Sequence, residues 1–223
     1  MGDFILGIDE AGKGPVIGPM VIAGCLIDTS IEREFKRLGI KDSKELTPKR
    51  REFLANIVRE KAETFEIIVV HPKEIDKSLN SGMNLNNLES RKIAEIINKI
   101  NKGYKKIKVV IDCPSVGVTK WVDALKMKIN NLSNLEITCE HKADKNYVAV
   151  SAASILAKSI REKEMNILRE KYGDEIGSGY TSDPATIHFL ELHADNPKNA
   201  SIFRKTWETW KKASEKLTQK KLI

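Results

Sequence analysis

The segment FILGIDEAGKGPVIGP (Phe4 to Pro19) joins a short apolar run to two acids and a glycine-rich turn. Phe4 to Ile8 predicts a buried strand. Gly12 to Pro15 predicts a tight turn, because glycine accepts left-handed backbone and proline has a fixed φ. Val16 to Ile27 is rich in β-branched residues and predicts a second strand directly after the turn.

The rest of the chain alternates helices and strands, which predicts a sheet covered by helices. Short apolar runs predict three further strands, at Thr64 to Val70, Ile107 to Ile111 and Leu135 to Cys139. Apolar residues three and four positions apart predict the helices. The first begins after Thr47, with Pro48 as its first residue. The others cover Pro72 to Leu79, Leu85 to Ile100, Val118 to Leu132, Ser151 to Tyr172 and Pro184 to Ala194. We expect three antiparallel neighbours at the start, and parallel fourth and fifth strands because a crossover helix joins them. The fold class is therefore α/β with a mixed sheet flanked by helices.

Acids follow two of the apolar strands directly. Asp9 and Glu10 come after the first strand, and Asp112 ends the fourth. Adjacent side chains on a strand point to opposite faces, so the first strand is expected to end near Ile8 if both acids reach one site. A single acid in such a position commonly caps a turn or is solvated. Three acids at the carboxyl ends of two strands favour a site for a hard divalent cation such as Mg²⁺.

The same segment contains a near match to a nucleotide-binding loop. Gly7 to Lys13 fits the pattern GxxxxGK, but Gly14 stands where that loop has Ser or Thr. Pro15 and a strand-like run follow, where the phosphate-binding helix would begin. The two acids inside the loop would also repel phosphate, so the P-loop interpretation is rejected.

The net charge of +7 is concentrated near the C-terminus, because residues 198–223 carry +6 and residues 1–197 carry +1. The last predicted helix places one apolar face at 4-3-4-3 spacing, formed by Phe203, Trp207, Trp210, Ser214 and Leu217. Basic residues cover the remainder of this helix: Arg204, Lys205, Lys211, Lys212 and Lys216. We expect the aromatic face to pack on the body and the basic residues to point toward a polyanion such as nucleic acid.

Composition excludes several other classes of protein. The 223 residues are 41% hydrophobic and 31% charged, which excludes a disordered chain. Three separated cysteines without a CxxC pair indicate free thiols in a reducing compartment. His188 and His193 are five residues apart, which is not the spacing of a helical zinc pair. No signal peptide or run long enough to span a bilayer is apparent, so we expect a soluble, cytoplasmic protein without a membrane partner.

Several motifs together resemble ribonuclease HII in its archaeal form, in the family order and over nearly the whole chain. The first is the segment GIDEAGKGPVIGP, from Gly7 to Pro19. The others are Asp42-Ser43-Lys44, Ile111-Asp112, His141 to Asp144, Ser151 to Lys158, Gly177 to Tyr180 and Ser182-Asp183-Pro184. These motifs are long and jointly specific, unlike a lone glycine-rich loop.

The resemblance implies an RNase H-like fold and an endonuclease. Its substrates would be the RNA strand of RNA/DNA hybrids and single ribonucleotides embedded in duplex DNA, cleaved on their 5′ side. Catalysis would use two divalent ions, Mg²⁺ or Mn²⁺, and leave 3′-hydroxyl and 5′-phosphate ends. The 2′-hydroxyl would serve recognition, since it distinguishes RNA from DNA.

The resemblance also implies the roles of individual residues. The catalytic and metal-binding carboxylates would be Asp9, Glu10, Asp112 and Asp144, of which the last does not stand out from its pattern alone. The substrate-binding residues would be Gly12, Lys13, Gly14, Ser43, Lys44, Lys158, Arg161 and Tyr180. Backbone groups of Gly12 to Gly14 would recognise the ribose 2′-hydroxyl, and Tyr180 would read the junction with DNA. Residues 1–172 would form the catalytic domain and residues 173–223 a helical, basic, substrate-binding extension.

The chain departs from the family pattern in three places. Lys13 stands where the family usually has arginine, Thr181 where it has proline and Glu162 where it has aspartate. Lysine cannot bind phosphate through two parallel donors as arginine does, so the phosphate contact at position 13 is expected to be weaker.

Other partners and functions stay open at this point. A non-catalytic protein that binds nucleic-acid duplexes would explain the basic tail but not the acids at the strand ends. Gln219 to Ile223 has a glutamine and terminal aliphatic residues but no aromatic pair, so a weak contact with a sliding clamp through the C-terminus is a further hypothesis. A monomer is the default expectation.

Overall fold

The computed structural model describes residues 4–40, 46–103, 105–113 and 117–220. The strands are β1 (Phe4–Ala11), β2 (Met20–Asp28), β3 (Thr64–Val70), β4 (Ile107–Asp112) and β5 (Leu135–Glu140). The helices are α1 (Thr29–Leu38), α2 (Pro48–Lys61), α3 (Pro72–Asn80), α4 (Leu85–Ile100), α5 (Val118–Lys126), α6 (Ala143–Asn146), α7 (Val148–Tyr172), α8 (Pro184–His193) and α9 (Glu208–Lys220). Among these described helices, none is long and apolar enough to cross a membrane.

The five strands form one mixed sheet in the order β3-β2-β1-β4-β5. β1 pairs antiparallel with β2 and parallel with β4, and β4 pairs parallel with β5. This confirms the predicted mixed sheet, with its parallel strands at the end where a crossover helix joins β4 to β5. β1 lies in the centre, so its carboxyl end is flanked by a strand on each side.

Helices cover both faces of this sheet. Leu6 and Gly7 are adjacent on β1 and therefore point to opposite faces. On one face, Leu6 lies near Gly24 of β2, and an added Cβ on Gly24 would reach the side chain of Ile96 on α4. On the other face, an added Cβ on Gly7 would overlap the backbone of Ala149 on α7. Only glycine allows α7 to approach the central strand this closely.

The described chain divides into two compact units that interleave along the sequence. The sheet unit comprises Met1–Ala11, Val21–Ile68 and Asn86–Ile160, and the C-terminal unit comprises Gly12–Met20, Val69–Leu85 and Arg161–Ile223. The predicted division at residue 172 was a single cut of the chain, and it stays a prediction.

Three predicted strand ends were one residue short, and two other strand limits were wrong by three or four residues for reasons that lie in hydrogen bonding. β1 continues to Ala11, since Asp9 and Glu10 still pair with β2. The second strand begins at Met20 and not at Val16. The backbone N–H groups of Val16 and Ile17 donate to the carbonyl of Gly179, so these residues bond within the C-terminal unit and do not belong to the sheet.

Several helix limits also differ from the prediction. α5 ends at Lys126, six residues early, and Met127 beyond it is largely exposed. α7 begins at Val148, three residues early. α9 begins only at Glu208, so Phe203 precedes the helix; it is buried and forms an isolated bridge with Ile17.

α1 was not predicted at all, although its ends carry recognisable caps. Asp28 accepts hydrogen bonds from the backbone N–H groups of Ser30 and Ile31, and Gly39 ends the helix in a left-handed conformation.

The apolar face of α9 packs as predicted within the C-terminal unit. Trp210 and Leu217 on α9, with Trp207 directly before the helix, lie against a buried cluster that includes Ala213 and Phe203.

Candidate active site

The carboxyl ends of β1 and β4 bring two aspartates to the same level of the sheet. The last paired residues of these strands are Ile8 and Ile111. Asp9 and Asp112 are the next residues on each strand. The parallel arrangement therefore juxtaposes the two strand ends in which the sequence places acids.

Asp144 reaches the same place from α6, a helix of only four residues. The residue before this helix, Lys142, has a φ of 61°, which is a left-handed conformation that a lysine rarely adopts. The Asp112 carboxylate accepts a hydrogen bond from the N–H of Ala143 at 3.0 Å, and the Ser151 hydroxyl donates to the carbonyl of Asp144 at 2.6 Å. Both bonds fix the turn that presents Asp144, at the cost of backbone strain at Lys142.

Asp9, Asp112 and Asp144 each offer a carboxylate oxygen within 4.8 Å of the other two. Asp9 and Asp144 are buried, at 6% and 2% exposure, and Asp112 is half-buried. Burial raises the pKa of Asp9 well above its ordinary range, and the charges of Glu10 and Asp112 raise it further. A hydrogen bond with Ser154 opposes this increase in pKa. Clustered, poorly solvated carboxylate oxygens are the donor set that Mg²⁺ and Mn²⁺ prefer, so these residues fit a divalent cation.

Glu10 lies on the same strand but is not among the three clustered carboxylates of the described residues. It pairs with Ile22 of β2, so its Cβ leaves the strand on the face opposite to that of Asp9. Its side chain is half-buried, and its charge acts on Asp9. Lys158, another predicted site residue, lies on α7 and is also half-buried.

The C-terminal unit brings together three of the predicted substrate-binding residues. Gly12 has a φ of 77°, and an added Cβ on it would overlap the side chain of Arg161. The guanidinium carbon of Arg161 lies 4.9 Å from the ring centroid of Tyr180, and its Nη2 donates to the carbonyl of Ser178 at 3.1 Å. Arg161 therefore connects the glycine turn to the loop that carries Tyr180, whose side chain is 39% exposed.

Asp183 organises the loop around Tyr180. Its carboxylate accepts hydrogen bonds from the N–H groups of Ser178 and Ala185, at 2.6 and 3.0 Å. Hydrogen bonds from the side chain and the backbone of Ser178 lower the pKa of Asp183 below its usual range. The carboxylate also caps the N-terminus of α8. Asp183 therefore has a structural role in presenting Tyr180.

Arg204 was expected among the exposed cations of the tail, and this was wrong. The side chain is fully buried. Its three nitrogen atoms donate to the carbonyl groups of Gly18, Lys13 and Gly12, at 3.0, 2.7 and 2.6 Å. The apolar residues that precede Arg204 in the sequence were the available signal of burial.

The other predicted substrate contacts are Lys13, Gly14, Ser43 and Lys44. Lys13 is half-buried and Gly14 is exposed, both in the turn of the C-terminal unit. Ser43 and Lys44 lie outside the described residues.

Both the sequence and the fold of this chain are similar to those of known proteins. A family model described as Ribonuclease HII matches residues 6–210. The Ribonuclease HII of Methanocaldococcus jannaschii is 42% identical over 230 residues, which cover 99% of each chain. The crystal structure of ribonuclease H2 from Pyrococcus horikoshii OT3 has a TM-score of 0.86 and 36% identity, covering 97% of this chain and 99% of that one. The RNase HII chain in a PCNA:RNase HII complex from Archaeoglobus fulgidus has a TM-score of 0.80 and 38% identity, covering 92% and 95%.

Proposed function

The chain belongs to the ribonuclease HII family of endonucleases, and from this premise we propose that it hydrolyses RNA in RNA/DNA hybrids and cleaves on the 5′ side of single ribonucleotides in duplex DNA. The observation that carries the proposal is the largely buried cluster of Asp9, Asp112 and Asp144, in which α6 brings Asp144 to the carboxyl ends of β1 and β4. The products would be 3′-hydroxyl and 5′-phosphate ends.

The same carboxylates are the proposed ligands of two divalent cations, Mg²⁺ or Mn²⁺. Glu10, which is outside the cluster, is proposed to join them through its longer side chain, since its charge already acts on Asp9. When bound, such cations supply Lewis-acid charge that activates water and stabilises the leaving oxygen. The chain itself supplies the fixed carboxylate geometry, through the hydrogen bonds from Ala143 to Asp112 and from Ser151 to the carbonyl of Asp144. Ser154 holds the Asp9 carboxylate in its buried position.

Substrate recognition is proposed for the turn Gly12 to Gly14 and for Tyr180. The turn would read the ribose 2′-hydroxyl through its backbone, and Tyr180 would pack on the sugar that follows. Arg161 supports both, since it contacts Gly12 and the Tyr180 ring. Lys158, Ser43 and Lys44 are proposed contacts to phosphate.

The decisive experiment is a cleavage assay on a DNA duplex that contains one ribonucleotide, with the product ends mapped. We expect cleavage with Mg²⁺ or Mn²⁺ and none with EDTA. Asp112→Asn removes a proposed charged ligand and is expected to lower the rate by about 10²- to 10³-fold, the size of a lost electrostatic contribution to the transition state. Binding of the duplex, measured separately, should be largely retained.

The matched control is Asp123→Asn, which makes the same chemical change at an exposed position on α5. It should cleave at the wild-type rate. A wild-type protein that binds the duplex but cleaves it with neither cation would instead be a non-catalytic duplex-binding protein. Near-normal cleavage by Asp112→Asn would contradict the assigned site.

A sliding clamp is the proposed protein partner. One support is the structure of the A. fulgidus relative in complex with PCNA. The other is the sequence of this chain from Gln219 to Ile223, which has a glutamine followed by aliphatic residues at its end. Deletion of residues 219–223 should weaken binding to the A. fulgidus clamp, measured by calorimetry. Unchanged affinity would place the contact elsewhere or exclude it.

A further inference from the structure

Arg204 is a buried cation whose hydrogen bonds all go to backbone carbonyls, two in the turn at Gly12 to Gly14 and one at Gly18. Its Nη2, Nη1 and Nε donate to the carbonyls of Gly12, Lys13 and Gly18, over distances of 2.6 to 3.0 Å. Within the described part of the chain, no carboxylate lies at ion-pair distance from it, and burial lowers its pKa. A guanidinium buried in this way loses its hydration, and its direct hydrogen bonds to these three carbonyls compensate for part of that loss.

Trp207 completes the set of bonds from the same segment. Its indole N–H donates to the carbonyl of Gly14 at 3.0 Å, and the Arg204 guanidinium lies 5.0 Å from its ring centroid. The segment between them is itself anchored, because the Asp76 carboxylate accepts two backbone N–H groups at 2.8 and 3.0 Å. The carbonyls of three consecutive residues in the turn are therefore occupied by two side chains that follow α8.

This arrangement fixes the direction of the N–H groups in the turn. In a trans peptide the carbonyl and the following N–H point to opposite sides. Because the carbonyls of Gly12 and Lys13 point to Arg204, the N–H groups of Lys13 and Gly14 point away from it. An added Cβ on Gly14 would meet no atom within 4 Å, and Gly14 is exposed, so the turn has open space at this residue. Successive N–H groups of this kind form a concave site for an anion or a hydroxyl oxygen.

We propose that Arg204 and Trp207 are positioning residues for ribose recognition, which hold the carbonyls of Gly12 to Gly14 so that the N–H groups of Lys13 and Gly14 face the substrate. The inference rests on the proposed function, since it takes that turn as the reader of the 2′-hydroxyl. It assigns the C-terminal segment a role in substrate specificity in addition to general affinity for nucleic acid. A salt bridge or an apolar residue could fill the same space, but neither would direct three carbonyls.

The test is Trp207→Phe, which keeps the aromatic packing and removes only the donor to Gly14. Binding constants are measured in an Asp112→Asn background for a duplex with one ribonucleotide and for the same duplex in all-DNA form. We expect the preference for the ribonucleotide to fall about 2- to 10-fold, the effect of one neutral hydrogen bond. Arg204→Lys, which removes the fork of donors, should reduce it further.

Trp210→Phe is the matched control, because the Trp210 indole N–H is buried without a hydrogen-bond partner among the described residues. It should leave the preference unchanged. A merely structural role predicts that Trp207→Phe lowers the affinity for both duplexes equally, and this result would overturn the proposal. The affinity for Mn²⁺ alone, measured by calorimetry on the single variants with Asp112 intact, should not change.

The melting temperature of Arg204→Lys shows whether this variant is folded. Trp207→Phe tests the positioning role whether or not Arg204→Lys folds. If the unsubstituted background protein shows no preference for the ribonucleotide, the proposed function has failed instead. The two failures are therefore distinguishable.

Discussion

At the scale of single residues, Asp9 combines burial with neighbouring negative charge. Desolvation raises its pKa, and the charges of Glu10 and Asp112 act in the same direction. In the folded, metal-free protein, the Asp9 carboxyl group therefore binds its proton more tightly than it does in the unfolded chain. Its free energy of unfolding falls as the pH rises between the ordinary carboxyl pKa and the raised one, and the loss is complete above the raised pKa.

Asp9→Asn should consequently stabilise the metal-free protein at neutral pH. The amide retains the shape of the side chain and removes the buried charge. In EDTA near pH 7 we expect a melting temperature higher by about 2–4 °C for each kcal/mol relieved. Addition of Mn²⁺ should stabilise the wild type more than the variant, because ligand binding to the folded state adds stability.

The same measurement on Asp123→Asn is the control, and its melting temperature should follow that of the wild type. A lower melting temperature for Asp9→Asn in EDTA across the neutral range would show that Asp9 does not carry an unfavourable buried charge.

Two of the three clustered aspartates could be anticipated from local pattern, and the third could not. Asp9 and Asp112 follow apolar strands, and parallel pairing of those strands places them together. Asp144 lies on a four-residue helix after a left-handed lysine, where no periodicity exists to mark it. Only the resemblance to a known family indicated it.

At the scale of secondary-structure elements, the contact between β1 and α7 depends on a missing side chain. Gly7 lies directly against the backbone of Ala149, near the start of α7. The same helix contributes Ser151, which bonds the turn of Asp144, and Ser154, which bonds Asp9. The distance between strand and helix therefore influences the geometry of the carboxylate cluster.

Gly7→Ala should push α7 away from the sheet. We expect a loss of about 1–3 kcal/mol or more of unfolding free energy, the usual effect of overpacking a close contact, and weaker Mn²⁺ binding. Urea denaturation and calorimetry measure the two effects. Gly117→Ala is the control, because an added Cβ there meets no atom within 4 Å. Equal stability of the two variants would contradict the close contact.

Element types were easier to anticipate than their limits. The periodicity of Leu85 to Ile100 predicts α4 with the correct ends, because the whole helix buries one face. Val16 and Ile17 have the composition of a strand, but their N–H groups bond to Gly179, far away in the sequence. Phe203 has helical spacing with Trp207, yet it pairs with Ile17. Limits set by such distant bonds are not encoded locally.

At the scale of the whole molecule, the positive charge has two different uses. Arg204 is buried and bonds only to backbone, whereas Lys211, Lys212 and Lys216 are exposed on α9. Lys212 forms an exposed ion pair with Glu208 at 3.8 Å, and we expect all three lysines to contact the phosphates of a duplex. Lys212 and Lys216 border a groove between α8 and α9, beside the buried Ala213.

Replacement of these three lysines by glutamine should reduce the salt dependence of duplex binding. Each lost phosphate contact lowers the slope of log affinity against log salt by about 0.9, so we expect a reduction of about 1 to 3. Binding constants between about 50 and 200 mM salt measure it, in the Asp112→Asn background.

Lys102, Lys106 and Lys120, which are exposed and lie in the sheet unit, provide a control with the same change in net charge. Their replacement by glutamine should alter the slope less. Equal changes from both triple variants would mean that net charge, and not α9, determines the affinity.

The central position of β1 also has a consequence for synthesis on the ribosome. β1 bonds on one side to β2, which follows it closely, but on the other side to β4, with Phe4 paired to Ile107. Because the ribosome adds about 5–20 residues per second, the second edge of β1 stays unpaired for roughly 5–20 s until β4 has been made. During that interval a β1–β2 hairpin with an uncovered apolar edge would be open to wrong pairing or to chaperones. The strand that carries Asp9 thus keeps one unpaired edge until β4 has been made.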